Sequence, residues 1–168
     1  DTANVLRYKE ANQELVLPLL KKLEKKLMEI ALREKTTLQI GRTHGQQAVP
    51  ITFGFAMAEY VSRLGERILE IKRSGEQLKG KLSGAVGAYN AGKLILERPE
   101  DFEKEVLANL GLEPAAHSTQ IVEPEFLLDY IHTLISCFGI LANFSDDMRH
   151  LQRTEIAEVG EYFNEKQV

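Results

Sequence analysis

Val16, Leu20, Leu23, Leu27 and Ile30 recur at 4-3-4-3 spacing, and no other feature constrains the fold of this chain as strongly. That spacing puts all five side chains on one stripe of an α-helix, with lysine and glutamate between them. It predicts a long helix over residues 3–35. Pro18 lies inside the run and lacks a ladder donor, so a kink or a helix start is expected near it. Phe53, Met57, Tyr60, Leu64, Ile71, Leu78 and Leu82 keep the same stripe over residues 50–82, and Pro50 suits the first turn. Ile131, Leu134, Phe138, Leu141, Met148 and Leu151 predict a third helix from about 124 to 159, with a face widened by Leu127, Ile135 and Phe144. No alternating segment is long enough to predict a strand.

Rods of this length run to roughly 50 Å at 1.5 Å per residue. Three of them with such wide apolar faces cannot close a compact core alone. An all-α long-helix bundle completed by other chains is therefore expected. Between the rods, "SGAVGAYNAG" (83–92) is too rich in glycine for a helix interior. "PEDFEKEVLANLG" (99–111) has proline and acids at its start and glycine at its end, the marks of a short helix. "LEPAAHSTQIV" (112–122) reads as a polar connector. The whole of residues 1–168 is read as one helical-bundle domain. The chain opens at Asp1 without methionine and stops at "NEKQV" just after a helical pattern, so it is expected to be a piece of a longer protein.

Composition narrows the function. A 43% hydrophobic and 27% charged content fits a globular domain and not a disordered one. The chain has 21 basic and 25 acidic residues and no basic block, which argues against a nucleic-acid partner. Cys137 stands alone, excluding an internal disulfide framework or a Cys-rich zinc site and fitting a reducing, cytoplasmic setting. No stretch reaches the roughly 18 to 20 apolar residues of a membrane span and no signal peptide is visible, so no membrane partner is expected.

The chemistry concentrates in "IGRTHGQQAVPITFG" (40–54), which carries Arg42, Thr43, His44, Gln46 and Gln47 beside Gly45. Histidine can give or take a proton near neutrality, and glycine lets a ligand approach the backbone. Capping and loop bonding use the same residue types, so a structural corner of an oligomerisation bundle competes with an acid-base site. His117, Ser118, Thr119 and Gln120 form a second polar group, where a substrate contact competes with simple hydration. His132 and His150 lie 18 residues apart, and no histidine pair has metal-ligand spacing, so no metal is expected. Gly87, Gly92 and Lys93 satisfy GxxxxGK, but Leu94 stands where a phosphate loop needs a hydroxyl.

"GRTHGQQAVPITFG", "KLSGAVGAYNA", "HSTQI" and "LQRTEIAEVGEYFNEKQV" together resemble, in order and spacing, the adenylosuccinate lyase branch of the fumarase/aspartase superfamily. The opening "DTA" looks like the end of that family's TSSD-type segment, and the last residues look like the run into its GSSxMPxKxNP loop. The resemblance implies the central helical domain of a homotetramer with active sites shared between subunits. It implies cofactor-free elimination of fumarate from a succinylated purine nucleotide. His44 would be the proton donor to the leaving nitrogen, and a serine of the loop beyond Val168 the base. Gln120 and Thr43 would bind substrate, with Arg42, Gln46, Ser118 and Thr119 beside them. The 168 residues alone are then expected to be inactive. Gln47 departs from the proline of many relatives. Gly45 separates this branch from those with a bulky residue after the histidine, although related cycloisomerases can share the glycine.

Overall fold

The computed structural model describes residues 1–161. Its architecture is all-α, with two small two-stranded sheets as the only strand pairings among the described residues beyond one isolated bridge. The elements are α1 (Thr2–Ala11), a π-helical turn (Asn12–Val16), α2 (Leu17–Arg33), β1 (Leu38–Thr43), β2 (Gln46–Thr52) and α3 (Phe53–Glu76). Then follow β3 (Lys79–Gly80), a 3-10 turn (Gly92–Leu94), α4 (Pro99–Asn109), β4 (Glu113–Pro114) and α5 (Glu125–Leu151).

All three long helices are present, and the boundaries differ from the expectation for local reasons. The first rod runs unbroken past Pro18, because the turn before it widens: the Leu17 N–H donates to the Asn12 carbonyl, five residues back. A π turn shifts the ladder so that the missing proline donor and the ring beside it are absorbed without a break. The second helix starts at Phe53, and Pro50 lies in β2 opposite Ile40. Leu78 and Leu82 fall beyond its end. Leu78 is still buried. The third helix stops at Leu151, where the chain turns back on itself, and not near 159.

The chain divides into two compact units: Asp1–Lys22 with Glu66–Ile135, and Leu23–Gly65 with Ser136 onward. In the first, Val5, Leu17, Ile71, Leu78, Leu107 and Tyr130 form the core. Asn12 is buried there and donates to the Ile71 carbonyl at 3.3 Å. Gly75 makes room for it, since a Cβ at that position would lie 2.2 Å from the Asn12 amide nitrogen. Helix α4 ends in a Schellman motif: Leu112 N–H bonds the Leu107 carbonyl, Gly111 N–H bonds that of Ala108, and Gly111 supplies φ of 68°. Buried Leu107 and Leu112 add the matching apolar contact.

In the second unit, Leu27, Met57, Tyr60, Leu64, Cys137 and Ile140 are buried. The Tyr60 ring meets Phe144 edge-on at 5.2 Å, and its hydroxyl donates to Asp147. Burial first, and then that carboxylate, push the phenol up from its ordinary value, so it stays a donor.

Much apolar surface remains outside. Leu15, Leu19, Leu32, Ile135 and Phe138 are each at least 60% exposed, which is far more than isolated surface hydrophobes require. Contrary to the expectation from the sequence, α5 is long and apolar enough to cross a membrane by length and composition, with 17% of its apolar window buried.

Gly54 shows how tightly the start of α3 meets the end of α2. A Cβ there would lie 2.4 Å from the Ala31 carbonyl oxygen and 2.6 Å from the Lys35 backbone. Alanine is favoured over glycine in a helix by roughly 0.5–1 kcal/mol, whereas overpacking costs about 1–3 kcal/mol. Backbone cannot swing aside, so the clash should win. Gly54→Ala should lower the urea midpoint by a net loss on the order of 1 kcal/mol; an unchanged or raised midpoint would disprove the contact.

Candidate active site

The polar turn singled out in the sequence is a β-hairpin. Strand β1 pairs antiparallel with β2, from Leu38 opposite Thr52 out to Thr43 opposite Gln46. Two residues are left to make the turn, His44 and Gly45, and both have positive φ (55° and 72°). That is a type I′ turn, whose hand matches the twist of the strands. Glycine adopts the conformation freely, and histidine is among the side chains that tolerate it. The expectation of no strand missed a local signal: two turn-competent residues between Thr43 and Gln46, inside a run containing Ile40, Val49 and Ile51.

Thr43, His44 and Gln46 sit exposed at the tip. Arg42 lies one step down, and its side chain is only 23% exposed. Its guanidinium donates to Glu158 at 2.5 Å and to the Ile40 carbonyl at 3.3 Å. Gln39 donates to the other oxygen of Glu158 at 3.0 Å. The bond from Arg42 is the main reason that the Glu158 carboxyl is held below its ordinary range, with burial opposing it. The same bond raises the pKa of Arg42. Beside this clamp an open cleft of about 720 Å³ is lined by Arg42, Gly45, Gln47, Asp147, His150 and Arg153, among others.

The other predicted site residues lie in the first unit. Ser118 pairs with Val122 in an isolated antiparallel bridge, and the Thr119 N–H donates to the Ile121 carbonyl, so Thr119 and Gln120 form a tight corner. Ser118 and Ser83 share a hydroxyl hydrogen bond of 2.7 Å. Lys81 reaches the carbonyls of Gly84 (2.6 Å) and Gln120 (3.2 Å). A Cβ at Gly87 would lie 1.9 Å from the Ser118 carbonyl oxygen, so only glycine lets the two connectors pass this closely. Loop 83–92 is organised by a buried carboxylate: Glu103 accepts from the Leu82 N–H and from the Tyr89 hydroxyl. Burial, then Glu103, push the Tyr89 phenol up to about 12. Lys93 of the GxxxxGK match faces Glu100 at 3.8 Å. Residue-type reasoning passed over Glu158, Gln39, Lys81 and Glu103, because single acids, amides and lysines look like solvated surface.

The chain thus has long helices, a histidine-tipped hairpin and a glycine-laced polar corner. The family described as Lyase matches residues 1–167. The chain belongs to that lyase family. It is 38% identical over 168 residues to the adenylosuccinate lyase of Thermotoga maritima, covering 99% of this chain and 37% of that protein. It is 39% identical over 170 residues to that of Pyrococcus horikoshii (100% and 37%) and 38% identical to that of Aquifex aeolicus (99% and 37%). This lyase segment therefore spans about 37% of the length of these curated relatives.

In the lyase hairpin, Gly45 has open space around its missing Cβ, so its requirement is set by φ alone. Gly45→Ala should cost about 1–2 kcal/mol, the usual penalty for a left-handed L-residue. A thermal midpoint unchanged by Gly45→Ala would show that the I′ turn does not depend on this glycine.

Proposed function

We propose that this lyase segment is the central helical part of an adenylosuccinate lyase, a cofactor-free enzyme that eliminates fumarate from adenylosuccinate to leave AMP. The same chemistry serves the succinyl-aminoimidazole-carboxamide ribonucleotide, so both substrates belong to purine biosynthesis. The observation that carries this reading is similarity to adenylosuccinate lyases along the whole chain. Breaking a C–N bond by elimination expels an amine, which needs a proton on the departing nitrogen. His44, presented by the backbone at the hairpin tip, is suited to supply it. Thr43 and Gln46 flank it as donors, and Arg42 has N–H groups beyond those spent on Glu158 and Ile40 for a substrate carboxylate. Ser118, Thr119 and Gln120 present hydroxyls and a carboxamide, groups that bind carboxylates and base edges and do not titrate near neutrality. A cytoplasmic setting belongs to this reading and is supported by the single cysteine.

In the full-length enzyme, His44→Asn should lower turnover by about 10² to 10⁴-fold, the usual contribution of general acid catalysis. KM should change far less, because the proton is needed in the transition state. Turnover within about threefold of the parent would remove His44 from the mechanism.

The same reading makes the protein a homotetramer with sites shared between subunits, and bare helix faces support it. Ile135 and Phe138, 62% and 67% exposed, lie on a helix whose apolar window is mostly uncovered. Burial of such a face stabilises by about 25 cal/mol per Å² of apolar surface. Phe138→Glu should therefore shift the mass measured by light scattering from tetramer toward smaller species. A parent protein that is monomeric at assay concentration would overturn the assembly.

A further inference from the structure

We propose that Glu158 is the positioning residue of the proton-donating hairpin, holding His44 in place through Arg42 and Gln39; the inference rests on His44 being the acid.

In a regular strand, residues three apart point to opposite faces. Gln39 and Arg42 are three apart, yet both donate to the one carboxylate of Glu158. The ladder is irregular at this point: between the pairs Ile40–Pro50 and Arg42–Gln47 the single residue Gly41 of β1 faces Ala48 and Val49 of β2, so β2 carries the extra residue and the pair twists more strongly beside Arg42. A Cβ on Gly41 would lie 2.9 Å from the Val49 carbonyl oxygen, so the bulge closes on glycine. The sheet gives up regular pairing here, and the return is a carboxylate gripped at both oxygens.

Glu158 is fixed on its own side. The Leu151 carbonyl at the end of α5 accepts from the N–H groups of both Glu158 (3.0 Å) and Val159 (3.3 Å). Ala157 adopts a φ of 49° to make this turn, a conformation that costs an L-residue energy. A loop that strains a non-glycine residue and closes on one carbonyl delivers its next side chain to a defined place.

The hairpin needs such an anchor. Two strands alone are marginally stable, and β2 is exposed along most of its length. His44 lies beyond the last ladder pair, two residues from Arg42, so a tilt at Arg42 is carried straight to the tip. Misplacement by about 1 Å can cost 10²-fold in rate. Neither partner of this half-buried pair belongs to the apolar core of the second unit, so its loss removes no core packing. Rate and stability should therefore respond very differently to its loss.

The test uses full-length enzyme with four variants: Glu158→Ala, Glu158→Gln, His44→Asn and the double variant His44→Asn/Glu158→Ala. Glu158→Ala should lower kcat by about 10- to 100-fold with KM within about threefold and a thermal midpoint moved by only a few degrees. Glu158→Gln keeps an acceptor oxygen for Arg42 and should recover part of that loss. The double variant should have a kcat no lower than that of His44→Asn alone, since the effect of Glu158 on turnover runs through His44. A slow His44→Asn beside a Glu158→Ala whose kcat is within threefold of the parent would overturn the positioning role alone. Multiplying losses in the double variant, or a loss confined to KM, would overturn it too. If His44→Asn is as fast as the parent, the acid reading itself fails, and this inference with it. Should Glu158→Ala not fold, a fifth variant, His44→Asn/Glu158→Gln, is compared with its two single variants by the same non-additivity.

Discussion

The hairpin that carries His44 depends on a close approach of two backbones. At the base of the hairpin, Phe53 N–H donates to the Thr37 carbonyl and Gly54 N–H to that of Glu34, so α3 begins pressed against the end of α2. Glycine at position 54 permits this, because any Cβ there would meet main chain and not a movable side chain. Once the two ends are joined, the residues between them must leave as a pair of strands and return. The I′ turn then puts His44 and Gly45 at the far end. A helix-rich protein thereby gains an arm whose tip presents a histidine, with Gly45 of the turn lining the same cleft as Asp147 and His150 of α5.

Three acids and amides shape the two units from within. Glu103, 4% exposed, accepts from a backbone N–H and a tyrosine hydroxyl and so shapes the loop from 83 to 92. Leaving such a carboxylate without donors would cost several kcal/mol, which is why the loop cannot easily choose another path. Asn12 bridges a widened helical turn to the Ile71 carbonyl across the gap left by Gly75. Glu158 serves the hairpin in the same way from a partly exposed position. In each of these cases an acid or amide supplies the direction, and for Asn12 the space comes from Gly75.

The exposed apolar faces point the other way, outward. Stripes that are half buried, with Leu19, Ile135 and Phe138 left in the open, describe rods that have more apolar surface than the described residues cover. Hydrophobic burial is non-directional and needs only a complementary face, which is why the homotetramer proposed above looks to these stripes for its contacts.

The sequence by itself determined the helices, because a 4-3-4-3 stripe can be buried along one face only if the chain coils at 3.6 residues per turn. It also determined the short helix α4 through Pro99 and Gly111, and it marked residues 42–47 as a place where donors and a histidine converge. Helix ends were less legible: Pro50 suits a first turn and an edge strand equally, and the chain past Leu151 keeps helical composition while its backbone turns away. Tertiary structure alone decided that the turn is a bulged hairpin and that Glu158, more than a hundred residues along, grips its base. Periodicity reports which face of a segment is apolar; it carries no information about which distant carboxylate a strand will meet. That pairing is set by the path of the backbone, and the path is set by contacts between residues that no local window contains together.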